Sequence, residues 1–119
     1  MSFLPNELDR AVTLNKVLAK LGTARAIEAS EQYATPEPSK MGYAEDGVPI
    51  VGVDFTGGKY RARIRACDAL SGADVRITLI RTDCLEEAVW AYRYAHVALW
   101  GAASWAANDD IVEQIRLAR

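Results

Sequence analysis

From Ile50 to Arg81 the chain switches between apolar and polar residues at nearly every step, and that alternation restricts it to one kind of structure. Residues two apart on an extended strand share a face. "IVGVDFT" therefore sets Val51, Val53 and Phe55 against Gly52, Asp54 and Thr56. "KYRARIRAC" is stricter, with Arg61, Arg63 and Arg65 at every second position and Tyr60, Ala62, Ile64 and Ala66 between them. "VRITLIR" sets Val75, Ile77 and Leu79 against Arg76, Thr78 and Ile80. The connections are short. "TGGK" offers two glycines for the positive φ values of a tight hairpin, and "DALSGAD" is a second turn. Three such strands make an antiparallel meander. One side is apolar, and the other carries Asp54, Thr56, Arg61, Arg63, Arg65, Arg76 and Thr78.

A one-sided sheet needs a cover. "TDCLEEAVWAYRYAHVALWGA" supplies it, as a long helix that opens on Asp83 and Glu86 in a capping-box-like arrangement and stops at Gly101. Leu85, Ala88, Val89, Tyr92, Ala95, His96 and Leu99 recur at spacings of three and four and form the face expected on the sheet. Trp90, Tyr94, Val97 and Trp100 form a second apolar row. A helix apolar on two sides is covered on two sides. Aromatics are enriched at interface cores, so this row is the expected interface of a homo-oligomer, with a dimer favoured.

Residues 6–21 and 24–34 each read as a helix, separated by Gly22 and Thr23. Leu8, Val12, Leu14, Val17, Leu18 and Leu21 form the stripe of the first, and Ala24, Ile27, Ala29 and Tyr33 that of the second. Residues 35–49 hold three of the four prolines and read as a linker loop. "NDDIVEQIRLAR" closes the chain as a short helix capped by Asn108, with Ile111, Val112, Ile115 and Leu117 to bury. The organisation expected is a helical pair (1–34), a linker loop (35–49), a sheet-plus-helix domain (50–107) and a C-terminal helix (108–119) in one compact α+β unit.

Composition narrows the function classes. Lys and Arg number 14 against 16 Asp and Glu, a net charge of −2. A dedicated nucleic-acid binder is usually basic throughout, so any such role rests on a local patch. Cys67 and Cys84 are too few for a disulfide framework or a thiolate metal site, and both are expected as buried thiols, Cys67 on the core side of its strand. The sequence has no basic, apolar leader and no run long enough to span a bilayer, so a cytoplasmic protein without membrane partners is expected. His96 is the lone histidine, and a packed structural role fits it better than catalysis. Glu86 and Glu87 are adjacent on a helix and face apart. No catalytic constellation, metal site or cofactor is expected, and the protein is not expected to be an enzyme.

The order of these elements resembles the Apetala-type, or ethylene-response-factor, DNA-binding domain. The residues that carry the resemblance are Gly52-Val53, "GKYRARIR", and "EEAVWAY" continuing through Ala95 to "GAA" at 101–103, so it covers residues 50–107. The resemblance implies a sheet that lies in the DNA major groove. Arg65 and Arg76 stand where the family has contacting arginines, and Gly52 stands where it has a glycine beside the DNA backbone. The pattern departs at Val51, Asp54 and Thr56, which replace arginines, at Gly57 and Gly58, which replace a tryptophan turn, and at Thr78, which replaces a second tryptophan.

The expected function is a small DNA-binding or DNA-associated protein. Double-stranded DNA is the partner, and Arg61, Arg63, Arg65, Arg76, Thr78 and Gly52 are the contact residues. The rival is a non-catalytic oligomeric protein-interaction or small-ligand-binding module on a diverged fold of this type. The two are separated by whether Asp54, Asp68, Asp74 or a second subunit neutralises the arginines.

Overall fold

Gly57 and Gly58, at φ 60° and 79°, reverse the chain between Thr56 and Lys59, a turn that a side chain at either position would strain. The hairpin they close is the first half of the sheet. A computed structural model describes residues 7–27 and 36–118. In it β1 (Val53–Thr56) pairs with β2 (Lys59–Cys67), and β2 with β3 (Asp74–Thr82), both antiparallel, in the order β1-β2-β3. Asp68 tightens the second turn, its carboxylate accepting from the Leu70 and Ser71 amides at 2.8 and 2.9 Å.

The register of β2 against β3 contains one irregularity. Arg63 pairs with Thr78, but Ala62 pairs with Ile80, so Leu79 is an extra residue. A bulge of this kind shifts every later side chain to the opposite face. Leu79 stays buried, and Ile80 joins it against the core. Arg81, opposite Arg61, takes the outer position instead. The expected alternation, which put Ile80 beside Arg76 and Thr78, is corrected here: an isoleucine leaves the wet face and an arginine enters it.

The inner face is lined by Val53, Ala62, Ile64, Ala66 and Leu79, all buried. Phe55 shares their parity but is 54% exposed. It lies near the hairpin tip, outside the helical cover, with its ring edge-on to Tyr60 at 4.9 Å. Cys67 corrects a second expectation. Its position in β2 has the parity of the arginines, so it is half-buried at the strand end, with Sγ 3.2 Å from the Gly72 carbonyl. Cys84 is half-buried too.

Helix α2 (Leu85–Trp100) lies across the sheet. Asp83 does not cap it. The residue before the helix is Cys84, and Thr82 organises the entry, its hydroxyl accepting from the Cys84 amide at 3.1 Å and donating to Glu87. Asp83 instead holds Lys59 at 3.2 Å. Gly101, at φ 64°, ends the helix as expected, its amide returning to the Val97 carbonyl.

In the row Trp90, Tyr94, Val97 and Trp100, the last three are buried within the same chain and Trp90 is half-buried. Helix α1 (Glu7–Leu21) packs on α2 and on β3, and α3 (Asp109–Ala118) packs on α2. Arg10 of α1 lies over the Trp90 ring at 4.6 Å, and Arg93 over the same ring at 5.0 Å. Tyr94 is fully buried, its hydroxyl pushed up to about 12 by desolvation. Trp100 donates its indole N–H to the Ile27 carbonyl at 3.3 Å. Burial on nearly every side explains why α2 lacks a polar stripe.

Among the described side chains of α1 the buried set is Thr13, Leu14, Val17 and Leu21, while Val12 lies outside it and Leu8 lies outside the described side chains. Asn108 caps α3 through its side chain, 2.9 Å from the Ile111 amide. Ile111 and Ile115 are buried, but Leu117 is exposed. The second N-terminal helix does not begin at Ala24. Residues 24–27 are not helical, and Arg25 forms an isolated β-bridge, exchanging backbone hydrogen bonds with Cys67 at 2.9 and 2.8 Å. β2 runs past the end of β1, and the segment around Arg25 pairs with the edge that β1 leaves open. The rest of that expected helix, 28–34, lies outside the described residues.

The linker is fastened rather than loose. Ser39, Gly42 and Ile50 are joined through backbone bonds, as are Ala44 and Val48. Asp46 then holds the buried Arg93 guanidinium with two bonds of 2.8 and 2.9 Å. Those bonds hold the Asp46 carboxyl below its ordinary value against an opposing desolvation. Among the described residues, no helix is long and apolar enough to cross a membrane.

Candidate nucleic-acid interface

The outer face is set by the parity of three strands and by the bulge. Arg61, Arg63 and Arg65 stand along β2, and Arg76, Thr78 and Arg81 along β3. Two of these arginine pairs are directly opposed across strands, Arg61 with Arg81 and Arg65 with Arg76. Like charges at opposed positions destabilise a sheet. With Lys59, which has the parity of Arg61 and holds Asp83, the five guanidiniums make six cations against Asp54, Asp74 and Asp83, so the net charge of the face is 6 − 3 = +3.

Asp54 faces Arg61 in register and takes two bonds from it, at 3.0 and 2.8 Å, and a third from Arg63 at 3.1 Å. The Arg61 hydrogen bonds hold the Asp54 carboxyl below its ordinary value. Partial desolvation opposes them, and the charges of Arg61 and Arg63 add to the lowering. Asp74 holds Arg65 at 3.0 Å. Asp68 is spent on its own turn. Among the described residues, Arg76 and Arg81 have no carboxylate partner. Neutralisation is therefore partial: Asp54 and Asp74 engage three of the five arginines, and two remain with their full donor sets.

The face is not flat throughout. β1 begins only at Val53, and just before it Gly52 adopts φ +73°. A Cβ at Gly52 would stand 2.0 Å from the Tyr92 ring and 2.9 Å from the Arg63 carbonyl, so the close approach of α2 to the strand edge requires glycine here. The result is a concavity of about 340 Å³ lined by residues 51–54, Arg63, Arg65, Arg76 and Tyr92.

Of the contact residues expected from the sequence, Arg61, Arg63, Arg65, Arg76 and Thr78 share the one face, and Gly52 lies at its edge beside the concavity. Arg81 and Tyr92 were missed. The signal for Arg81 was the pair Leu79-Ile80, two apolar residues in succession inside an alternating strand. Tyr92 gave none, because its position in the helix reads as core. His96 sits away from this face, fully buried, with Nδ1 2.6 Å from Ser104 Oγ and its ring stacked on Trp100 at 4.2 Å. Among the described residues no cluster of three or more His, Cys, Asp or Glu could hold a metal ion. None of the family models, curated proteins or solved structures compared with this chain matches it.

Proposed function

We propose that this protein binds duplex DNA through the outer face of its sheet, with Arg61, Arg63, Arg65, Arg76 and Arg81 placed to contact phosphates. The observation that carries the reading is a set of five arginines on a face that no described element covers, two pairs of them directly opposed, with only two carboxylates among the described residues to balance them. A face kept merely soluble gains nothing from opposed like charges, whereas a polyanion relieves that repulsion. The guanidinium fork suits phosphate oxygens. Shape supports the same partner. Three strands about 4.8 Å apart span roughly 10 Å between the outer two, which fits a major groove about 12 Å wide. The resemblance to the Apetala-type domain supports it at Gly52, Arg65 and Arg76.

The rival reading, a protein-interaction or small-ligand module, draws on the ion pairs of Asp54 and Asp74, which occupy three of the arginines. A fluorescence-anisotropy titration with random duplex DNA at low and moderate salt separates them. The expected result is saturable binding that weakens steeply with salt and vanishes in Arg63→Glu/Arg65→Glu. Binding that is absent, or that survives the double reversal, selects the rival.

A further inference from the structure

The structure assigns the concavity at the open end of β1 as a receptor for the terminal phosphate of a phosphomonoester. This rests on reading the outer face as phosphate-binding, and it names the group that the concave part of that face takes.

Three guanidiniums meet there. Arg65 stands opposite Arg76, and Arg63 occupies the next position of the same parity on β2, so the three side chains originate from a triangle of neighbouring sites. Two are already oriented. Asp54 holds Arg63 and Asp74 holds Arg65, each through a single Nη2 bond, which leaves the remaining donors of both forks available. Arg76 lines the hollow with no carboxylate partner among the described residues. Val51, Gly52 and Val53 complete the lining, with no room for a side chain at Gly52.

Charge distinguishes which phosphate fits. With the ion-pair partners of its lining included, the site carries Arg61, Arg63, Arg65 and Arg76 against Asp54 and Asp74, so 4 − 2 = +2. A phosphomonoester carries about −1.5 to −2 at neutral pH. A backbone phosphodiester carries one negative charge and continues in both directions. It suits the open stretch around Arg61 and Arg81, not a recess. A volume of about 340 Å³ admits a phosphate with the first part of what it is attached to. The same group occurs at the 5′ end of a phosphorylated strand and on a free nucleotide.

The test is an amide NMR titration of the full chain with inorganic phosphate and with a nucleoside 5′-monophosphate, against chloride at matched ionic strength. It is paired with anisotropy of duplexes bearing 5′-phosphate or 5′-hydroxyl ends. Saturable shifts centred on Gly52 and Val53 are expected. They weaken at least tenfold in Arg76→Gln and stay unchanged in Arg81→Gln, with the spectrum reporting that both variants are folded. Shifts that never saturate, match those of chloride, or persist in Arg76→Gln overturn the assignment. Salt-dependent duplex binding without any phosphate response sinks the pocket and leaves the sheet-face reading intact. A saturable phosphate response without duplex binding does the reverse. Given that response, a several-fold preference for the 5′-phosphorylated duplex identifies the strand end as the source, and no preference identifies the free nucleotide.

Discussion

His96 occupies a setting that admits only its neutral form. The rings of Trp100, Trp105 and Tyr92 lie 4.2, 5.7 and 6.0 Å from its own, Ser104 takes Nδ1, and Nε2 is buried with no hydrogen-bond partner among the described residues. Desolvation alone lowers its pKa from 6.5 to about 4. The folded value is the depressed one, so between these limits the unfolded chain binds more protons. The stability is fully present above 6.5 and is lost as pH falls through the window to about 4. One pH unit corresponds to about 1.4 kcal/mol, so the loss is on the order of 3 kcal/mol. Urea unfolding at pH 7, 5.5 and 4.5 should show midpoints that fall in the native chain. In His96→Gln they should start lower and stay nearly level over that window. Equal slopes in the two proteins would mean that the ring is solvated in the folded state. Gly52 is the other residue whose neighbours dictate its identity, and the same close contact with Tyr92 that forbids a Cβ there opens the hollow beside Arg63.

Among the elements, β3 depends most on a detail that periodicity hides. Because Leu79 is the extra residue, Ile80 faces the core and Arg81 the solvent. Ile80→Asn should therefore destabilise by about 1–3 kcal/mol, as a polar group placed among apolar neighbours does. Arg81→Asn should stay within about 0.5 kcal/mol. Thermal denaturation of both variants checks this, and the opposite ranking would restore unbroken alternation. The strands, their order and the face of Arg61, Arg63 and Arg65 were legible in the sequence because a period of two leaves no freedom once three of them share an apolar side. The bulge was not, because Val75, Ile77 and Leu79 keep that period up to the extra residue, and a register shift is fixed by the partner strand. The segment after Gly22 misled for a related reason. Ala24 to Ile27 carry helical propensity, but the backbone of Cys67 needs partners, and Arg25 supplies them in a β-bridge. The aromatic row of α2 was read as apolar on two sides, which holds. What covers it depends on where α1 and α3 pack, and no local pattern encodes that.

For the molecule as a whole, charge is segregated rather than scarce. The outer face carries +3 in a chain of net −2, so the remainder carries −2 − 3 = −5. A polyanion is attracted to one face and repelled by the rest, which orients its approach before any contact forms. Asp54 limits this attraction most, since one carboxylate occupies Arg61 on two atoms and Arg63 on a third. Asp54→Asn raises the face from +3 to +4 and frees both guanidiniums. If the face holds phosphates, the variant should bind random duplex DNA several-fold more tightly at low salt. Each additional phosphate neutralised steepens the dependence of log K on log salt by about 0.9, so the slope should grow by about that amount. A partly exposed ion pair adds little to folding, so unfolding should not obscure the comparison. A variant that stays folded but binds no more tightly, with an unchanged slope, would mean that Asp54 orients the arginines for their ligand instead of competing with it. The rank of affinities at two salt concentrations separates these roles, because competition is relieved by removing the charge and orientation is lost with it.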